Sequence, residues 1–178
     1  MEITSSLRNS LAELYFREES SQKGWAVASL EELHNGGKPA DDNVVALRIG
    51  GRTVRIKLMP KLVPEITEMS RPARHRGERK FVFDYLACRI GHAVQDAPVV
   101  ANPTALSWVH VKTAGTLFSE YQLEALPKIQ LALTVFSIRD VLAPPKNLEC
   151  RWDTRSASEW LDFVDELKEQ EEYDDEYF

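Results

Sequence analysis

Apolar and polar positions recur along this chain with enough regularity to lay out its elements. Residues 5–19 set Leu7, Leu11, Leu14 and Tyr15 on one helical stripe, and Gly24 breaks that helix ahead of a short apolar strand at 25–30. Ser29 and Glu32 stand at capping-box spacing and open a helix of at most two turns, stopped by Asn35-Gly36-Gly37. Two alternating runs, 43–49 and 52–58, flank Gly50-Gly51, which can supply the positive φ of a tight hairpin turn. Pro60 and Pro64 end the second run, and 65–80 reads as a mostly polar, mobile connection. Residues 80–90 form a strand that is apolar on both faces except for Asp84 in its middle, and 91–104 read as a loop.

The clearest supersecondary pattern follows, over residues 106–138. Trp108, His110 and Lys112 alternate with Val109 and Val111, so the three project from one face of a strand. Ser119 and Gln122 then give a second capping-box spacing, Pro127 ends the helix, and 131–138 is apolar and β-branched enough for a buried strand. Strand, helix and strand in this order imply a right-handed βαβ crossover. Beyond the rigid Pro144-Pro145 turn, 147–152 reads as an edge strand. Ser156 and Glu159 then cap a helix with Trp160, Leu161, Val164 and Leu167 on one stripe.

The chain has 178 residues and 43% apolar content, which suits one α/β domain over 1–168 with a real core. Residues 169–178 are too charged to pack and read as a flexible acidic tail. No apolar run approaches the roughly 18 residues of a membrane span, and the N-terminus lacks the layout of a secretory signal. Cys88 and Cys150 are too few for a zinc ribbon or a disulfide scaffold and read as free thiols. The expected location is the cytoplasm.

Charge changes this picture. The net charge of −6 argues against a protein coated in nucleic acid, yet between Arg48 and Arg89 there are eleven Lys/Arg against four Asp/Glu. From Asp153 to Phe178 the balance reverses, with eleven Asp/Glu against two Lys/Arg. Only the basic middle suits phosphates. Its candidates are Arg48, Arg52 and Arg55 on the hairpin and Arg71, Arg74, Arg76 and Arg79 on the connection, with a solvated charged face as the alternative. The acidic end is either a solubility device or a screen over that basic surface.

Asp84 is the most informative acid, because a carboxylate on a buried strand is costly unless it is paired or binds a metal. An aspartate strand (FVFDYLAC), a strand bearing His110-x-Lys112 (WVHVK), a helix bearing Gln122 (SEYQLEAL) and a further apolar strand follow one another. This order resembles the core of the PD-(D/E)XK nucleases, especially the Holliday-junction-resolvase-like members. The family's glutamate position is His110 here.

The resemblance implies a central mixed β-sheet flanked by helices, restriction-endonuclease-like. It implies a metal-dependent DNA endonuclease or resolvase-like phosphodiester hydrolase, in which Asp84, His110, Lys112 and Gln122 form the catalytic set. A Mg²⁺ or Mn²⁺ ion would be held by Asp84, His110 and a first-helix glutamate, Glu13, with Glu18 as the other candidate there and Glu78 or Asp96 as further acids that a cutting site could bring to Asp84. Such an ion activates water and offsets phosphate charge, and Lys112 would orient that water. His110 is open to three readings: a nitrogen ligand suited to Mn²⁺, a general base, or a remnant in a site that does not cut. The alternative function is a catalytically inactive nuclease-fold subunit acting in DNA binding or protein interaction. The implied partners are DNA and a second copy or a larger protein complex, with no membrane.

Overall fold

The computed structural model describes residues 4–36, 39, 42–91, 98–113, 115–143 and 147–176. It is an α/β protein built on a mixed eight-stranded sheet. The strands are β1 (Trp25–Ser29), β2 (Val44–Ile49), β3 (Arg52–Lys57), β6 (Tyr85–Arg89), β7 (Val99–Val100), β8 (Leu106–Lys112), β9 (Ala132–Ile138) and β10 (Cys150–Arg155). Their order is β10-β9-β8-β6-β1-β2-β3-β7, and β4 (Ala73–His75) and β5 (Glu78–Lys80) make a separate hairpin. Among the described residues no helix is long and apolar enough to cross a membrane.

Side-chain alternation divides the core into two layers. Ala26, Leu86, Trp108 and Leu133 face the larger one, which is closed by α2 (Leu30–Gly36), α3 (Val63–Met69), α4 (Glu120–Ala125) and α5 (Ala157–Glu176). Val27, Tyr85, Val109 and Phe136 face the smaller one, closed by α1 (Ser5–Gln22). The strand–helix–strand pattern forms as expected: β8 and β9 are parallel neighbours joined through α4, and β6 lies antiparallel on the other side of β8. All three capping boxes close, at Ser29/Glu32, Ser119/Gln122 and Ser156/Glu159. In the predicted hairpin turn only Gly50 of the glycine pair takes a positive φ, +55°.

Several expectations are corrected. The buried stripe of α1 is Ala12, Phe16 and Ser20, while Leu7 and Leu14 are 47% and 59% exposed. Small residues at i and i+8 let the helix lie close to the sheet, and Phe16 alone fills the space among Tyr85, Phe136 and Trp152. Residues 65–80 are no mobile connection: they hold most of α3 and the β4–β5 hairpin, whose turn takes positive φ at Arg76 (+52°) and Gly77 (+83°). The loop at 91–104 contains β7, a short parallel addition to β3. Asp84 stands just before β6 rather than mid-strand, although its N–H still bonds Val109 O at 2.9 Å. The edge strand sits three residues later than 147–152 suggests, paired throughout with β9. The last helix, α5, continues to Glu176, into the acidic stretch.

Candidate functional site

At the start of β6 the chain leaves the sheet and exposes Asp84 at the head of an open cleft of about 940 Å³. The ladder of β6 and β8 pairs Tyr85 with Val109, and one step further it sets Asp84 opposite His110. The side chains meet: His110 Nδ1 lies 3.1 Å from Asp84 Oδ2, and the same oxygen accepts the Val111 N–H at 2.7 Å. A carboxylate oxygen accepts, so in this contact the hydrogen is on Nδ1.

Gln122 is brought in by its cap. Its Oε1 accepts the Ser119 N–H at 3.0 Å, which turns Nε2 inward to donate to Val82 O at 3.1 Å and to lie 3.2 Å from His110 Nδ1. Sequence reasoning offered capping or the site as alternatives for this residue, and one amide does both. The Phe118 ring, 5.9 Å from the imidazole, covers it and keeps the His110 side chain only 17% exposed, against 36% for Asp84.

Across the cleft α1 contributes Glu13 and Arg17, one helical turn apart. Tyr85 donates its hydroxyl hydrogen to Glu13 Oε2 at 3.2 Å and accepts from Arg17 Nε at 3.3 Å, while Arg17 reaches Glu32 at 3.4 Å. Burial, with the Asp84 charge second, pushes the Glu13 carboxyl above its ordinary value. Burial pushes the Tyr85 phenol up to about 12, so it stays a donor at neutral pH. Tyr85 and Arg17 escaped the sequence reading, although the i,i+4 spacing of Glu13 and Arg17 was a usable signal.

Other expected site residues lie elsewhere. Strand alternation keeps Lys112 on the face of His110, but it lines a different hollow with Thr113, Ser137 and Glu149, and no described residue pairs with its ammonium. Glu18 lines a separate groove between α1 and the β1–β2 part of the sheet. Glu78 pairs with Lys80 at 3.8 Å, and Asp96 lies outside the described residues. Among the described residues no three His, Cys, Asp or Glu side chains converge as a cation site. Glu13 faces Asp84 at Coulombic range only, and one Asp84 oxygen is already taken by two protein donors. Among the described residues, therefore, no complete Mg²⁺ or Mn²⁺ ligand set is assembled.

Of the candidate phosphate contacts, Arg48 and Arg79 line the Asp84 cleft, joined there by Lys80. Arg55 and Arg71 are paired with Asp42 and Glu68 at 3.5 and 3.8 Å, all exposed. Arg52 alternates onto the opposite face of β3 from Arg55, so the hairpin arginines do not share one surface. Arg76 occupies the β4–β5 turn, and Arg74 faces Arg79 directly across that hairpin.

The cleft is polarised in consequence. On the side of α1, α2 and the start of β6 it carries Glu13, Glu31, Glu32 and Asp84 with Arg17 among them, and on the side of β2 and β5 it carries Arg48, Arg79 and Lys80. No family model, no curated protein and no solved structure matches this chain.

Proposed function

We propose that this chain is a DNA-binding module on a restriction-endonuclease-like core, with an acidic centre closed by His110, so that any strand cleavage belongs to a partner subunit. The observation that carries this reading is the Asp84 contact. Its Oδ2 accepts both His110 Nδ1–H and Val111 N–H, which occupies one of the two oxygens a hard cation could use. The core is supported by β6, β8, α4 and β9 following one another in the order of the nuclease resemblance, with Asp84, His110 and Gln122 meeting while Lys112, the fourth residue of the set, lines another hollow. DNA is supported by the three cations, Arg48, Arg79 and Lys80, on the β2 and β5 side of the cleft.

One observation favours a second reading, metal-dependent cleavage by this chain. Glu13 and Asp84 are like charges facing one cleft, with Glu13 destabilised as an anion, and a divalent cation would relieve that. The test is binding and cleavage of duplex and branched DNA by the unaltered chain with Mg²⁺ or Mn²⁺, beside Asp84→Asn and His110→Glu. Binding without cleavage is expected from the unaltered chain in both ions. Cleavage that Asp84→Asn abolishes would transfer the conclusion to the second reading. Failure to bind DNA at low salt would overturn both.

A further inference from the structure

Among the described residues, the β4–β5 hairpin stands apart from the central sheet. It pairs with no other strand, yet its β5 strand leads directly into the cleft through Lys80 and Phe81. Its middle rung pairs Arg74 with Arg79. Directly opposed residues of an antiparallel pair project from the same face with Cβ atoms about 4.5–5.5 Å apart, and like charges there are destabilising. Among the described residues neither arginine has an acidic partner; Arg79 lies instead against the Phe81 ring, its guanidinium carbon 5.9 Å from the centroid. The neighbouring cation Lys80 takes Glu78, the hairpin's own acid, at 3.8 Å.

We infer that Arg74 and Arg79 form a clamp for a single backbone phosphate of a nucleic acid at the mouth of the Asp84 cleft. This rests on the DNA-binding reading and names the point at which the strand is gripped. A tetrahedral phosphate has oxygens for two guanidinium forks at once, and an anion between the two converts their repulsion into two charge-assisted contacts. Phe81 holds the Arg79 fork from the side. The rest of the cleft selects a chain of phosphates over an isolated one. Arg48 and Lys80 continue the line of cations from Arg79, whereas Glu13, Glu31, Glu32 and Asp84, on the side of α1, α2 and the start of β6, repel a backbone that approaches them. The strand therefore follows the cations of β2 and β5.

The experiment is fluorescence-anisotropy binding of labelled duplex DNA to the full chain over a salt series. Its variants are Arg74→Ala, Arg79→Ala, the double variant, Arg74→Glu and a control, Arg55→Ala. Because both arginines hold one phosphate, each single variant should lose nearly as much affinity as the double. The log–log salt slope of the double should fall by about 0.9, the share of one phosphate rather than two. Arg74→Glu places opposite charges on the rung, so thermal melting should show a hairpin at least as stable while binding is lost. Arg55→Ala should bind like the unaltered chain.

Inorganic phosphate at matched ionic strength should leave the complex intact; displacement by it would make a free phosphate the ligand and overturn nucleic acid. Unaltered slope and affinity in the double variant would overturn the clamp while leaving the DNA-binding reading standing. No binding by the unaltered chain would overturn both.

Discussion

His110 sits opposite Asp84 across β6 and β8, and its Nδ1 shares one carboxylate oxygen with the Val111 N–H. The contact ties the end of one strand to the side chain and backbone of the next, at the point where the sheet opens into the cleft. Gln122 approaches the same imidazole nitrogen from α4, so three successive elements meet on one ring.

Asp84→Asn should separate the structural and electrostatic roles of this carboxylate. Asn keeps an oxygen for Val111 N–H but loses the charge that His110 faces, so stability should fall by about 1 kcal/mol, the net worth of a typical hydrogen bond. Removing one negative charge from the cleft should meanwhile tighten DNA binding by about two- to fivefold at low salt, fading as salt rises. Denaturant melts and binding isotherms on the same protein check the pair. Weaker binding with unchanged stability would mean that Asp84 contacts the ligand directly.

Glu13 gives a pH prediction. Burial, then Asp84, raises its folded-state value above the usual 4.5, so folding favours the protonated form. The stability it contributes is full below the unfolded value and is lost as pH rises through the raised folded value. Glu13→Gln keeps an acceptor for the Tyr85 hydroxyl and cannot ionise. The fall in stability just above pH 4.5 should therefore shrink in this variant, as read by urea titrations at several pH values. An identical pH profile in both proteins would remove Glu13 from the cleft's charge balance.

Much of this arrangement was legible because it is local. A capping box needs four residues, and the alternation of Trp108, His110 and Lys112 needs five, so β8, α4 and the facing of His110 and Gln122 follow from short stretches. Less legible were the elements whose reason lies far along the chain. The buried stripe of α1 is Ala12, Phe16 and Ser20, which scores as less apolar than the exposed leucines; it is buried because an aromatic cluster from β6, β9 and β10 receives Phe16. The Arg76-Gly77 turn lacks the usual Asn-Gly signal, so the hairpin passed for a polar connection. Lys112 shares a face with His110, yet alternation along a strand does not say into which hollow its side chain extends.

Gly24 is a second long-range constraint. Its φ is +75°, and a Cβ added there would lie 2.9 Å from Gly91 Cα. Its carbonyl accepts both Ile90 N–H and Gly91 N–H at 3.0 Å, closing the end of β1 against the end of β6. Gly24→Ala meets backbone, which cannot swing aside, as well as an unfavourable φ, and should cost about 2–3 kcal/mol. Gly91→Ala has a positive φ too, +69°, but open space around the new methyl, so its cost should stay near about 1 kcal/mol. Equal costs in chemical denaturation would show that the close approach is relaxed in solution.

Glu65 offers the most demanding test of the core. It looks like a solvated residue just after Pro64, yet it is 7% exposed. Three donors surround its carboxylate: Trp108 Nε1 and Gln130 N at 2.8 Å, and Leu131 N at 3.2 Å. One side chain on α3 thus fixes the indole beneath the His110 face of β8 and the two residues that lead into β9. A buried carboxylate is tolerable only with its acceptor sites filled, and here they are filled by groups that would otherwise be buried donors without acceptors. Glu65→Gln is nearly isosteric but turns an NH₂ toward at least one of these donors. Stability should fall by about 2–4 kcal/mol, above the loss of a single neutral hydrogen bond, because both the new amide and the abandoned donor are left unsatisfied. Glu65→Met, which removes the acceptor altogether, should cost at least as much. Denaturant midpoints for the two variants, with the m-value checked for constancy, decide the matter. A Glu65→Gln protein within about 0.5 kcal/mol of the unaltered chain, the range of an ordinary surface substitution, would mean that water reaches these donors and that α3 is not bound to the sheet through this carboxylate.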